Sequence, residues 1–206
     1  MRNQSPISPS VPASKFDFVG QLEAIQQVTN CLESTKNGFP TNFLITAGRG
    51  LGKTSLLNQI QRIATSKNEG EFNFLVAFTD LSKETTSIGL AKKIRIGLEY
   101  SLFKEDAVKK VLDKLKDTLE RVQIKGWSFK EEDETAEIEV FLEELAYYLA
   151  ATTEEITSKK KYDGLLLLFD EADAFSEKIP FGTFLKLLSE RMFRINSRHF
   201  SIGVAG

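Results

Sequence analysis

The stretch Ala47-Gly48-Arg49-Gly50-Leu51-Gly52-Lys53-Thr54-Ser55 places three glycines ahead of a lysine and two hydroxyls, a combination suited to phosphate chemistry. Glycines tolerate the backbone conformations that turn successive N–H groups inward around an anion. A lysine directly behind them reaches the β- and γ-phosphates as a flexible point charge, and a threonine hydroxyl suits one place in the octahedral shell of Mg²⁺. Lys53 and Thr54 are therefore candidate phosphate and metal contacts, with Gly48, Arg49, Gly50, Leu51, Gly52 and Ser55 completing the cradle. The pattern G-x-x-x-x-G-K-[ST] has Ala47 at its first position here, where the preceding strand ends, so the cradle over 48–54 is unaffected.

A second stretch, Leu165-Leu166-Leu167-Leu168-Phe169, runs straight into Asp170-Glu171. A continuous apolar run suits a central parallel strand buried on both faces, with the acids emerging at the edge where open α/β folds bind ligands. Asp170 would hold Mg²⁺, directly or through water, and Glu171 would orient and deprotonate the water that attacks a γ-phosphate. This makes Lys53 and Glu171 the candidate catalytic residues and Thr54 and Asp170 the candidate metal ligands.

Both motifs need elements to hold them. The apolar run 43–46 before the loop reads as a strand, and Leu56, Leu57, Ile60, Ile63 and Ala64 behind it fall on one helical stripe. That helix aims its free N–H groups and positive dipole end at the anion. An earlier helix carries Leu22, Ile25, Val28 and Leu32 on one stripe, and a second strand is expected over 72–78. Two amphipathic segments follow, along Ile88, Ala91, Ile94, Leu98 and Leu102, then along Val108, Val111, Leu112, Leu115 and Leu119. The period changes over 122–134, which predicts a short hairpin or extended loop around Trp127, and the acidic run 131–134 reads as a solvated helix N-terminus. A helix along Ile138, Phe141, Leu142, Leu145, Tyr148 and Leu149, another along Phe184, Leu188, Met192 and Ile195, and a last strand over 200–205 complete the order.

The 206 residues suffice for one substantial α/β core, and a net charge of −2 supplies no positive field to recruit nucleic acid or an anionic membrane. A single cysteine, Cys31, excludes an intramolecular disulfide and fits a reducing compartment. It reads as a small apolar residue on a helix face. No apolar stretch approaches a membrane span, so a soluble, cytoplasmic protein is expected. Residues 1–14, with Pro6, Pro9 and Pro12 among serines, read as a flexible leader, leaving 15–206 for the ordered domain.

Taken together, residues 16–21, the loop ending Gly52-Lys53-Thr54-Ser55, the strand ending Asp170-Glu171-Ala172-Asp173 and Ser201-Ile202-Gly203-Val204-Ala205-Gly206 resemble the AAA+ class of P-loop ATPases. The branch containing origin-recognition ATPases and STAND regulators is the nearest in appearance. The resemblance implies a three-layer α/β P-loop NTPase fold with a mostly parallel sheet ordered 5-1-4-3-2, and ATP with Mg²⁺ as ligands. It places Phe18-Val19-Gly20 against the adenine, with Val19 as the base contact. It also implies a polar sensor, a fifth strand and a helical lid after the strand at 200–205. This sequence lacks them, so the expectation is the N-terminal part of a longer protein, truncated on its C-terminal side, with a protein- or nucleic-acid-binding effector beyond Gly206. In such families an arginine from a second copy often completes the site. Arg191, Arg194 and Arg198 are candidates by location, against the competing expectation that each is a surface residue.

Other activities meet specific objections. Ala47-x-x-Gly50-x-Gly52-Lys53-Thr54 and Asp170-Glu171-Ala172-Asp173 also match two motifs of DEAD-box RNA helicases. That family expects Ser-Ala-Thr where Gly203-Val204-Ala205-Gly206 stands, and its Pro-Thr-Arg-Glu-Leu and Thr-Pro-Gly-Arg segments are missing. The Asn-Lys-x-Asp guanine reader of GTPases does not occur. The competing reading is a nucleotide-dependent switch that binds ATP with little or no hydrolysis, and slow turnover is expected of this chain even if it is an ATPase.

Overall fold

Four of the apolar runs form one sheet in the computed structural model, which describes residues 21–48, 50–65, 72–82, 87–101, 113, 134–174 and 181–206. The strands are β1 (Phe43–Ile45), β2 (Phe74–Asp80), β3 (Gly164–Asp170) and β4 (Phe200–Ala205), ordered β1-β4-β3-β2 and parallel throughout. This is the 1-4-3-2 portion of the expected order. The helices are α1 (Leu22–Lys36), α2 (Lys53–Ala64), α3 (Ser87–Ser101), α4 (Glu134–Ser158) and α5 (Phe181–Arg194), with a 3₁₀ turn at Ala172–Ala174.

Side-chain alternation along the central strands divides the interior into two cores, and with them the fold into three layers. Leu165, Leu167 and Phe169 of β3 join Leu75 and Ala77 of β2 against α3, α4 and α5. Leu166 and Leu168 join Phe74 and Val76 against Leu56, Leu57 and Ile60 of α2 and Val28 and Leu32 of α1. Every residue of β3 is buried, as an apolar run flanked by a strand on each edge and a helical layer on each face requires. The Phe169 ring meets Phe181 of α5 edge-on at a centroid distance of 5.4 Å, which fixes that helix against the end of β3.

Three helices stop in the same way. At Gly38 (φ 85°), Lys160 (φ 53°) and Asn196 (φ 61°) the backbone turns left-handed. The following N–H then bonds back to a carbonyl of the last turn: Phe39 to Ser34, Lys161 to Ile156, Ser197 to Met192. These stops return the chain to the N-terminal edge of the sheet. There the Ser201 hydroxyl donates to the Thr41 carbonyl at 2.5 Å, and the Ile202 N–H donates to Asn42 Oδ1 at 2.9 Å.

Several expectations need correction. The second strand begins at Phe74, not 72, and runs on to Asp80, because Phe72 is buried beside the ladder while Thr79 and Asp80 continue pairing with Phe169 and Asp170. Leu22 does not join the stripe of α1. It stands 79 % exposed at the helix's first position, while Val28 and Leu32 carry the contact. Ile195 is likewise exposed, one residue past the end of α5. The stripe at 108–119, apart from a helical residue 113, and the hairpin around Trp127 lie outside the described residues. So do the leader and the acidic run 131–133.

Candidate nucleotide site

The C-terminal ends of β1, β3 and β4 meet at one edge of the sheet, and the Gly206 N–H just past β4 donates to the Ile45 carbonyl at 3.2 Å. Between β1 and α2 the loop makes the conformations that its glycines allow: φ is 80° at Gly50 and 84° at Gly52. A tight turn closes where the Leu51 N–H donates to the Gly48 carbonyl at 3.2 Å, and the Leu56 N–H donates to the Gly52 carbonyl at 2.9 Å to start α2. A left-handed residue just ahead of a helix N-terminus leaves the first N–H groups of the helix facing the loop's hollow. The Lys53 ammonium donates to the Ala47 carbonyl at 2.8 Å, so it already spans that hollow. Ser55 lies half-buried in the first turn of α2.

Asp170 is only 3 % exposed, and both of its oxygens are engaged. Oδ2 accepts from the Thr54 hydroxyl at 2.5 Å and Oδ1 from the Glu171 N–H at 2.9 Å. The two candidate metal ligands, one on a helix and one on a strand, are therefore in direct contact. A hydroxyl that gives its proton to a carboxylate keeps its lone pairs for a cation, and hard oxygen donors of this kind suit Mg²⁺. Among the described residues no group of three or more His, Cys, Asp or Glu could hold a metal. The residues present fit an ion that takes its remaining ligands from phosphate and water, the usual situation for Mg²⁺.

Glu171 follows in the left-handed region, φ 55°, with an exposed side chain. Its carbonyl accepts from the Ala174 N–H at 2.9 Å, opening the 3₁₀ turn that carries the exposed Asp173. A non-glycine residue in that region costs on the order of 1 kcal/mol, and such residues cluster at active sites. Val19 and Arg49 fall outside the described residues.

The structure gives a role to Gln21, the last residue of the 16–21 segment, which the sequence reading left without one. Gln21, itself at φ 54°, donates from Nε2 to the Leu51 carbonyl at 3.3 Å, tying the start of α1 to the loop. Its position right after Phe18-Val19-Gly20 was the available signal. Of the candidate arginines, Arg191 departs from a surface position: its side chain is 13 % exposed and Nε lies 3.6 Å from Glu143 of α4. A cavity of about 480 Å³ between α4 and α5 is lined by this pair. Another of about 550 Å³ lies at the N-terminal edge of the sheet. Neither includes the glycine loop and helix N-terminus that a polyphosphate needs.

A parallel α/β sheet with a glycine loop between β1 and α2 and an acid-tipped strand β3, one strand removed from β1, is a P-loop nucleoside-triphosphatase fold. The chain belongs to the AAA ATPase domain family, whose model matches residues 17–194. The match takes in the loop, β2 and the end of β3. A comparison with curated proteins gave no match. Family membership makes this an ATP-binding domain of ATPase type, and among the described residues no helix is long and apolar enough to cross a membrane.

Proposed function

We propose that residues 15–206 bind ATP with Mg²⁺ and hydrolyse it, acting as a regulatory or motor module of a longer protein. The observation that carries this reading is the contact between Thr54 and Asp170, which puts the end of β3 directly against the first turn of the helix behind the phosphate loop. In this reading backbone N–H groups over 48–55 hold the phosphates and Lys53 neutralises them. Mg²⁺, when bound, offsets charge on the β- and γ-oxygens. Thr54 would take it directly, and Asp170 through the hydroxyl it accepts and through water. Glu171, at the exposed rim, orients the attacking water and takes its proton. The resemblance assigns Val19 to the adenine.

The likeness to the branch of origin-recognition ATPases and STAND regulators supports a role in which the nucleotide state controls an effector beyond residue 206, with a second copy of the chain as a partner. The single cysteine supports a reducing, cytoplasmic setting. Calorimetric titration with ATP and Mg²⁺, with GTP as competitor, together with phosphate release from the full-length protein, tests the reading. Tight ATP binding, weak GTP competition and measurable turnover are expected. No binding of ATP defeats the proposal, equal competition by GTP removes the adenine assignment alone, and binding without turnover replaces the ATPase by the nucleotide switch.

A further inference from the structure

We infer that Asp80 is a positioning residue of this site, holding a water of the metal's shell beside Asp170; the inference rests on the ATP and Mg²⁺ reading above. Asp80 is the last residue of β2 and the register partner of Asp170, the last residue of β3. Residues paired across parallel strands project to the same face. In these strands Phe74, Val76, Leu166 and Leu168 enter the core under α2, and the alternate residues enter the opposite core. Asp170 confirms the direction, since its carboxylate accepts from Thr54 at the start of α2. The Asp80 side chain therefore leaves the sheet on the loop's side, one strand spacing from Asp170, about 4.8 Å. Unlike Asp170 it is exposed.

The backbone that presents it is held on two sides. The Leu81 N–H donates to the Asp170 carbonyl at 3.0 Å, and Lys93 Nζ of α3 donates to the Asp80 carbonyl at 2.5 Å. Like charges at directly paired positions of a sheet destabilise it, a cost that a nearby hydrated cation removes. Mg²⁺ gives up its waters reluctantly and keeps several of them when bound. A carboxylate beside Asp170 on the same face of the sheet is placed to accept a hydrogen bond from such a water. Asp80 thus acts on the metal through water and touches neither nucleotide nor ion.

The test is Mn²⁺ binding by the full-length protein in saturating ADP, followed by electron paramagnetic resonance, for wild type, Asp80→Asn and Asp80→Ala. ADP affinity and the melting midpoint in EDTA are measured alongside. Outer-layer partners of a metal typically contribute tenfold or more to its affinity. Mn²⁺ binding should therefore weaken by about tenfold in both variants, with metal-free ADP affinity unchanged and the midpoint in EDTA unchanged or raised. Unaltered Mn²⁺ affinity overturns the inference. So does an equal loss of metal-free ADP affinity, which would make Asp80 a support of the loop. A wild type that binds no ADP removes the ATP reading itself, and that arm is distinguishable from a failure confined to the variants.

Discussion

The Thr54 hydroxyl donates to Asp170 Oδ2 at 2.5 Å, a contact between residues 116 positions apart that joins the first turn of α2 to the tip of β3. Partners in one site couple energetically by about 0.5–3 kcal/mol. Thr54→Ala, Asp170→Asn and the double variant should therefore be non-additive in Mg²⁺-dependent ADP binding, the double losing less than the two singles combined. A calorimetric double-mutant cycle measures this, and strict additivity would mean that the contact has no part in metal binding.

Lys53 spans the hollow of the loop to the Ala47 carbonyl, an exposed bond that contributes little to the fold. Toward phosphate the same ammonium is a charge-assisted donor. Lys53→Ala should lower ATP affinity by more than about 2 kcal/mol while leaving the melting midpoint nearly unchanged. Equal affinities by titration would take Lys53 out of the site.

Glu171 separates turnover from stability. Glu171→Gln keeps the shape and removes the basic carboxylate, so the full-length protein should still bind ATP while its turnover falls by about 10²–10⁴-fold. Glu171→Gly should lose turnover equally. Because φ is 55° here, the glycine variant should also unfold at a higher temperature, by relief of about 1 kcal/mol of strain. Phosphate release and thermal melting read the two effects, and wild-type turnover in either variant would cancel the assigned role.

Gly203 of β4 lies under the Phe43 ring of the neighbouring strand. A Cβ there would press into that ring and come within 2.7 Å of Leu168 Cδ2. Gly203→Ala should destabilise the fold by about 1–3 kcal/mol through overpacking, and Phe43→Leu in the same chain should return part of the loss. Urea unfolding of the wild type and the two variants tests the pairing, and a neutral Gly203→Ala would contradict it.

Burial on α1 raises the Cys31 thiol pKa above its ordinary value, which disfavours the reactive thiolate. A thiol reagent at neutral pH should label the folded protein more slowly than the urea-unfolded one. The native rate should still be rising at alkaline pH where an ordinary thiol has levelled off. Equal rates in both states would show Cys31 to be fully accessible.

The glycine loop, its lysine and threonine, and the apolar run of β3 were legible in the sequence because their chemistry is written in consecutive residues. Period and burial type carried most of the helices as well. Periodicity names an apolar face without naming what covers it. The stripe of α1 could not reveal that Leu22 stands in solvent, nor the stripe of α5 that Arg191 lies against Glu143. The sequence reading ended the second strand at 78, short of Asp80, and gave no sign that Asp80 and Asp170 are paired. Only the order β1-β4-β3-β2 set those two side by side and carried Asp170 to Thr54, because strand pairing and helix crossover are decided by burial over the whole core and not by any local run.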